Sequence, residues 1–187
     1  MAQPSLYTES RRHKMATYTL IESQVLGSAA ASVTFSAIPA TYTDLFVKIS
    51  ARGSASSGGS DHWIDITIGF NGAGSNVSIT NKQLYGLGSA AGSTSATGSS
   101  GGAMTANNAT ASTFSNSDIY IPNYAGSNYK SFSIDNVTED NQTGALIVLI
   151  GGLWSNAAAI TSITLYSATG NFVADSSFYL YGISNTI

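Results

Sequence analysis

The chain holds few of the side chains that catalyse reactions, and their spacing matches no common catalytic arrangement. Its two histidines are His13 and His62. A serine hydrolase needs a nucleophile, a base and a group that orients the base. His13 lies near the N-terminus, and His62 stands between Asp61 and Trp63, where we expect a surface or edge position at the start of a strand. The sequence therefore predicts no catalytic residues and no enzymatic activity.

Acidic residues offer no clear metal or glycosidase site either. Asp61 and Asp65 would lie on the same face of one strand, about 13 Å apart, which is too far for a pair of glycosidase carboxylates. Residues 135–141, DNVTEDN, collect oxygen ligands of the kind that Ca²⁺ prefers, but they lack EF-hand spacing. We interpret them as a polar turn and leave calcium as the alternative. Cys is absent, which removes disulfides and Cys-based zinc sites. No cofactor is predicted.

Basic residues cluster at the N-terminus. Arg11, Arg12 and Lys14 are three of the seven Lys and Arg residues in the chain. Met15 follows as a second natural start. Residues 1–16 are therefore either a misassigned start or a frayed tail, or else an arm that docks on a partner. We predict an N-terminal extended arm, with Arg11, Arg12 and Lys14 contacting an acidic protein surface.

Composition excludes several classes of function. The 187 residues are the length of one domain, 9% of them are charged, and the net charge is -3. An ordinary soluble domain is about 25% charged. No large basic surface is available for phosphates, so we expect no nucleic acid partner. Residues 145–153, the longest apolar stretch, are too short to cross a membrane as a helix, and residues 1–14 lack the apolar run of a signal peptide.

Period-two alternation dominates from Thr17 onward and predicts an all-β fold. Residues 61–70, DHWIDITIGF, alternate polar and apolar side chains, and the Asn71-Gly72 pair that follows is typical of a hairpin turn. Residues 145–150, ALIVLI, predict a central strand covered on both faces. With about eight to eleven short strands and no amphipathic helix, we predict a jelly-roll-like antiparallel β-sandwich over residues 17–187.

Residues 88–112 interrupt this pattern. They are rich in Gly, Ser, Ala and Thr and contain neither a charge nor an aromatic ring. A segment of this length without a strand is unusual in a compact domain. We predict a long loop, either a flexible surface excursion or a segment ordered by a neighbouring subunit.

Several short segments resemble a family of small virion proteins from tailed bacteriophages, including phages of marine bacteria. The similar segments are distributed from Thr17 to the C-terminus, outside the first sixteen residues and the Gly/Ser-rich segment. They are YTLIES at 18–23, VTFSAIP at 33–39, TYTDL at 41–45, IYIPNY at 119–124, KSFS at 130–133, GLWS at 152–155, AITSI at 159–163 and YLYGI at 179–183.

The resemblance implies a β-sandwich module that works by assembly. Our leading expectation is a capsid decoration (cement) protein that is made in the host cytoplasm and binds the major capsid protein on the outer surface of the virion. Such a protein would act as a homotrimer, with no membrane or nucleic acid partner. The alternative is a tail or fibre module that recognises the host, in which exposed aromatic residues would bind a glycan; the candidates are Trp63, Tyr85 and Tyr124. A polysaccharide-degrading enzyme rests on fold analogy alone.

Overall fold

A computed structural model describes residues 16–72, 74, 78–98 and 100–184, which form twelve β-strands and no helix. The strands are β1 (Thr17–Val25), β2 (Ser32–Phe35), β3 (Asp44–Ser50), β4 (Trp63–Phe70), β5 (Ile79–Leu87), β6 (Ala90–Thr97), β7 (Ala103–Thr105), β8 (Asn116–Ile121), β9 (Lys130–Val137), β10 (Leu146–Trp154), β11 (Ile163–Ser167) and β12 (Ser177–Ser184).

The strands form two sheets of unequal width. The larger has eight strands in the order β1-β12-β3-β8-β9-β10-β5-β6, and the smaller has four in the order β2-β11-β4-β7. Neighbouring strands in both sheets are antiparallel. The predicted antiparallel β-sandwich is confirmed, and its connectivity is consistent with the jelly-roll arrangement.

A single apolar core fills the space between the sheets. Alternation along each strand turns one set of side chains inward, as in β10, where every second residue is buried. Phe178 and Leu180 of β12 are fully buried, while Tyr179 and Tyr181 lie on the opposite face of the strand and point outward. Major buried contributors are Phe35, Val47, Ile49, Ile66, Ile68, Phe70, Ile119, Ile134, Ile150, Trp154, Leu165 and Phe172.

The Gly/Ser-rich segment contains two strands, so the prediction of a long loop over residues 88–112 is wrong. Strand β6 pairs with β5 along its whole length, and β7 pairs with β4. Gly88 and Ser89 join β5 to β6 as a two-residue hairpin turn, with a positive φ of 56° at Gly88 that suits such a turn. Small side chains weaken strand propensity, but pairing with a neighbouring strand overrides propensity.

The remainder of that segment is held by one buried cation. The Arg52 guanidinium donates hydrogen bonds to the carbonyl oxygens of Thr110 (2.8 Å), Thr113 (3.0 Å), Asn107 (3.1 Å) and Ala109 (3.1 Å). These bonds satisfy carbonyl groups that β7 and β8 leave outside the ladders. Residues 107–113 are therefore anchored to the sandwich.

The Asn71-Gly72 pair makes a turn but not the predicted hairpin. Both residues have positive φ, 56° and 71°. Strand β4 pairs with β11 and β7, whereas the next strand, β5, belongs to the other sheet. The Asn71 side chain accepts a hydrogen bond from the Thr161 backbone N–H at 2.7 Å and donates to the Ala159 carbonyl at 2.8 Å, so the turn is a corner between sheets.

Strand β10 is central, but only one of its faces is covered, which contradicts the prediction for residues 145–150. Ile147 is 55% exposed and Leu149 is 53% exposed, while Val148 and Ile150 lie in the core. The four-stranded sheet packs on one face of the eight-stranded sheet. A continuous apolar run therefore places half of its side chains at the surface.

Candidate functional site

The outer face of the eight-stranded sheet carries exposed aliphatic side chains on its two neighbouring strands β5 and β10. Leu84 lies directly opposite Leu149 in the register of these strands, and Leu84 is 61% exposed. Opposed residues of antiparallel strands have Cβ atoms about 5 Å apart. Ile147 and Leu153 continue the surface along β10. We call Leu84, Ile147, Leu149 and Leu153 the aliphatic outer patch.

Strand β6 forms the sheet edge beside this patch. Its sequence, AAGSTSAT, has no charge and no proline, and most of its residues are exposed. Within the described chain, the ladder to β5 is the only strand pairing of β6. Native sheet edges are commonly protected by charged side chains, proline or bulges. An edge without them can accept a further strand.

An aromatic cluster covers the other end of the outer face. Tyr181, Phe46 and Tyr120 stand side by side on β12, β3 and β8, and Tyr18 packs edge-on against Phe46 at 5.8 Å between ring centroids. The Tyr120 hydroxyl donates to Asp44 at 2.9 Å. Burial raises the pKa of Tyr120, and the hydrogen bond and negative charge of Asp44 raise it further. We call Tyr18, Phe46, Tyr120 and Tyr181 the aromatic outer patch.

A cleft lies on the opposite side of β5 and β6, where the strands of the larger sheet meet β4. Its volume is about 280 Å³, close to the lower end of small-molecule sites, about 300 Å³. Leu146, Val148 and Ile150 of β10 form an apolar floor. Trp63 of β4 and Tyr85 of β5 add two aromatic rings to its lining.

The position of Tyr85 depends on the glycine opposite it. Tyr85 pairs with Gly92 of β6. A Cβ atom at Gly92 would lie 2.6 Å from the Tyr85 hydroxyl oxygen and 2.7 Å from the ring carbon that bears it. The ring therefore lies over the glycine backbone, which no other residue type would allow without displacing it.

Polar groups complete the lining of the cleft. Asp65 lies two residues after Trp63 on β4, and Gln83 lies two residues before Tyr85 on β5, so each pair shares a face of its strand. Asp65 is exposed as a residue, but the walls of the cleft exclude water from part of its carboxyl group. This partial desolvation raises the pKa of the carboxyl. Thr94 and Ser100 contribute hydroxyl groups. In the described chain, the Trp63 indole N–H is buried and without a hydrogen-bond partner.

Of the three predicted glycan-binding aromatics, the structure brings together Trp63 and Tyr85 and excludes Tyr124. Tyr124 is fully buried, and its hydroxyl donates to the Pro39 carbonyl. Its prediction as an exposed aromatic is wrong, because the corner that begins at Pro122 turns the ring into the core. Asp65 and Gln83 were missed as members of the cleft. Each lies two residues from one of the aromatic residues and so on the same face of its strand, a spacing that could have identified it. The sequence does not show that β4 lies close to β5.

His62 does not occupy the predicted surface or edge position. Its side chain is 13% exposed and its Nδ1 lies 3.0 Å from the buried carboxylate of Asp140. Asp140 also accepts hydrogen bonds from the backbone N–H groups of Thr110 (3.2 Å) and Gln142 (3.1 Å). The His62 backbone N–H donates to the Gly144 carbonyl at 3.0 Å, and this bond ties the start of β4 to the turn before β10.

The predicted polar turn at residues 135–141 does not gather its carboxylates at one point. Asp135 lies on the exposed face of β9, whereas Asp140 is buried. Among the described residues, no group of three or more His, Cys, Asp or Glu side chains is placed to hold a metal ion. Arg11, Arg12 and Lys14, the predicted arm residues, lie outside the described residues.

No protein-family model, curated protein or solved structure matches this chain. In the part of the chain that the structure describes, no helix is long and apolar enough to cross a membrane.

Proposed function

We propose that this chain is a non-enzymatic structural protein of a bacteriophage particle, a capsid decoration protein that bridges capsid subunits on the outer shell. The observation that carries the proposal is the aliphatic outer patch beside the uncharged edge strand β6. Exposed apolar surface of this kind marks protein interaction sites. The class of particle rests on the resemblance of eight short sequence segments to phage virion proteins and on no other observation.

The chain would act mechanically, by holding neighbouring capsid subunits together. Each copy presents a broad sheet face with aliphatic side chains at one end and aromatic side chains at the other. On the outer face, the Lys48 ammonium lies 2.8 Å from the Asp118 carboxylate, so these two charges neutralise each other. The exposed Asp135 carboxylate lies opposite Asp118 in the strand register and adds a negative charge there. Many weak contacts around a shell add by avidity. The partners are the major capsid protein and other copies of this chain, with a homotrimer as the assembly unit.

Immunogold electron microscopy of intact virions with antibody to this chain tests the proposal. Gold over the head supports a decoration protein, and shells with and without the chain would then differ in resistance to heat. Gold confined to the tail or its tip contradicts it and favours the tail or fibre alternative. Sedimentation equilibrium of the purified chain tests the trimer separately.

A further inference from the structure

We propose that the cleft between β4 and β5 binds one pyranose residue of a neutral glycan. This activity goes beyond shell assembly and does not depend on it, because the cleft lies on the face of β5 opposite the aliphatic outer patch. Trp63 and Tyr85 supply the aromatic rings, and Asp65 and Gln83 supply the hydrogen-bonding groups.

The register of three strands sets the geometry. Val148, Tyr85 and Gly92 form one row across β10, β5 and β6. The next row is Ile150, Gln83 and Thr94. An aromatic ring and an amide therefore stand two residues apart on a rigid sheet, over an apolar floor.

The chemistry of the lining matches a sugar better than a wholly apolar ligand. A pyranose has a face of C–H groups that stacks on an aromatic ring, and hydroxyl groups at its rim that need hydrogen-bond partners. Small-molecule sites typically combine a mainly apolar lining with a few well-placed polar groups. Here the aromatic rings and the apolar floor would contact the C–H face of the sugar. The Asp65 carboxylate, the Gln83 amide and the Thr94 hydroxyl would form hydrogen bonds with the hydroxyl groups at its rim.

Charge restricts the class of sugar. Asp65 is the one ionisable acid in the cleft lining, and no Lys or Arg is among the described residues that line it. A uronic or sialic acid would place a second carboxylate near Asp65 without a compensating cation. The ligand is therefore a neutral hexose or N-acetylhexosamine.

Saturation-transfer NMR and titration calorimetry on the full purified chain test this inference. The probes are the methyl glycosides of glucose, galactose, mannose, N-acetylglucosamine and glucuronic acid. We expect saturation transfer to at least one neutral glycoside, and at least about tenfold weaker binding of the glucuronide. If no neutral glycoside binds with a Kd below about 10 mM, the inference is overturned.

Two variants test whether the sugar binds in the cleft. Trp63→Ala removes one ring, and we expect binding at least about tenfold weaker. Because Trp63 is half-buried, its substitution also affects packing, so a second variant is needed. In Gly92→Ala, the added Cβ atom would displace the Tyr85 ring without contacting the core. Ala91→Ser, one residue away on the other face of β6, is its matched control and should bind normally. Undiminished binding in both cleft variants would place any sugar elsewhere and overturn the inference.

Asp65→Asn separates recognition from a purely structural role. We expect this variant to bind the neutral glycoside more weakly, because it loses a carboxylate acceptor. We also expect it to lose most of the discrimination against the glucuronide, because the negative charge is gone. Unchanged discrimination would remove Asp65 from the binding site. Since no capsid is present in these experiments, their failure leaves the shell-assembly proposal intact, and the reverse also holds.

Discussion

Leu84 of β5 and Leu149 of β10 stand directly opposite each other on the outer face of the eight-stranded sheet, and each is more than half exposed. Paired leucines at the surface add nothing to the core. Their side chains are removed from water only when another molecule covers them. The hydrophobic effect of that burial is the physical basis of the proposed contact with the shell.

The first prediction concerns this pair. The double variant Leu84→Ser/Leu149→Ser should fold with a change in stability within about 1 kcal/mol, because exposed substitutions have small effects. Its affinity for shells should fall at least about tenfold, since each covered leucine contributes about 1.5–3 kcal/mol. Co-sedimentation with shells that lack the chain measures this. Val25→Ser, at an exposed valine of β1, is the matched control; equal binding by all three proteins would contradict a role for the patch.

The second prediction concerns Arg52. Arg52→Met keeps the apolar stem but removes the donor to the carbonyl groups of Asn107, Ala109 and Thr113. The Thr110 carbonyl keeps the Thr113 hydroxyl as a donor at 2.8 Å. Each buried unpaired group costs about 1–3 kcal/mol. We expect a stability loss of about 2–4 kcal/mol in denaturant unfolding. Hydrogen exchange should increase most in residues 106–115. Uniformly slow exchange there would mean that the bonds from Arg52 do not anchor the segment.

The third prediction concerns Lys130, which is 1% exposed. Its ammonium donates to the carbonyl oxygens of Gly126 (2.5 Å), Asn128 (2.6 Å) and Ala158 (2.7 Å) and lies 5.9 Å from the Trp154 ring. Lys130→Met should lower stability by about 1–3 kcal/mol, measured by thermal and urea unfolding. Lys82→Met, at an exposed lysine of β5, should change it little. A similar loss in both variants would point to net charge as the cause.

The fourth prediction is a pH dependence at Asp65. Burial raises the pKa of this carboxyl above 3.8 in the folded protein, so the folded state holds the proton to higher pH than the unfolded state does. Asp65 therefore lowers stability progressively as pH rises through 3.8 and its folded-state pKa, and its effect vanishes only well below 3.8. Asp65→Asn should match the native chain in stability at pH 3 and exceed it at pH 7, by about 1 kcal/mol or less because the residue is exposed.

Thermal unfolding of both proteins at the two pH values measures this difference. Asp61→Asn changes the net charge equally and isolates the effect of the cleft. If Asp65→Asn is less stable than the native chain at pH 7, the carboxylate makes a stabilising contact and the argument from burial is wrong.

The class of fold follows from the local pattern of the sequence. Alternation in segments such as Phe178–Tyr181 is a local property, because successive side chains of a strand must point to opposite faces. It correctly predicts a two-sheet sandwich, and it places Phe178 and Leu180 on the face of their strand opposite Tyr179 and Tyr181. It does not predict which of these two faces is buried. Composition likewise fixes the low charge of the chain, because the number of ionisable side chains does not depend on how the chain folds.

What covers each face of a strand, and which strands meet, depends on the packing of the whole fold. The apolar run at 145–150 was predicted to be covered on both sides, yet Ile147 and Leu149 are exposed, because coverage depends on the placement of the other sheet. Residues 90–97 form a strand because β5 lies beside them, not because Ser and Ala favour one. Trp63 and Tyr85 line one cleft although twenty-one residues separate them, since non-local strand pairing is set by the energy of the whole fold.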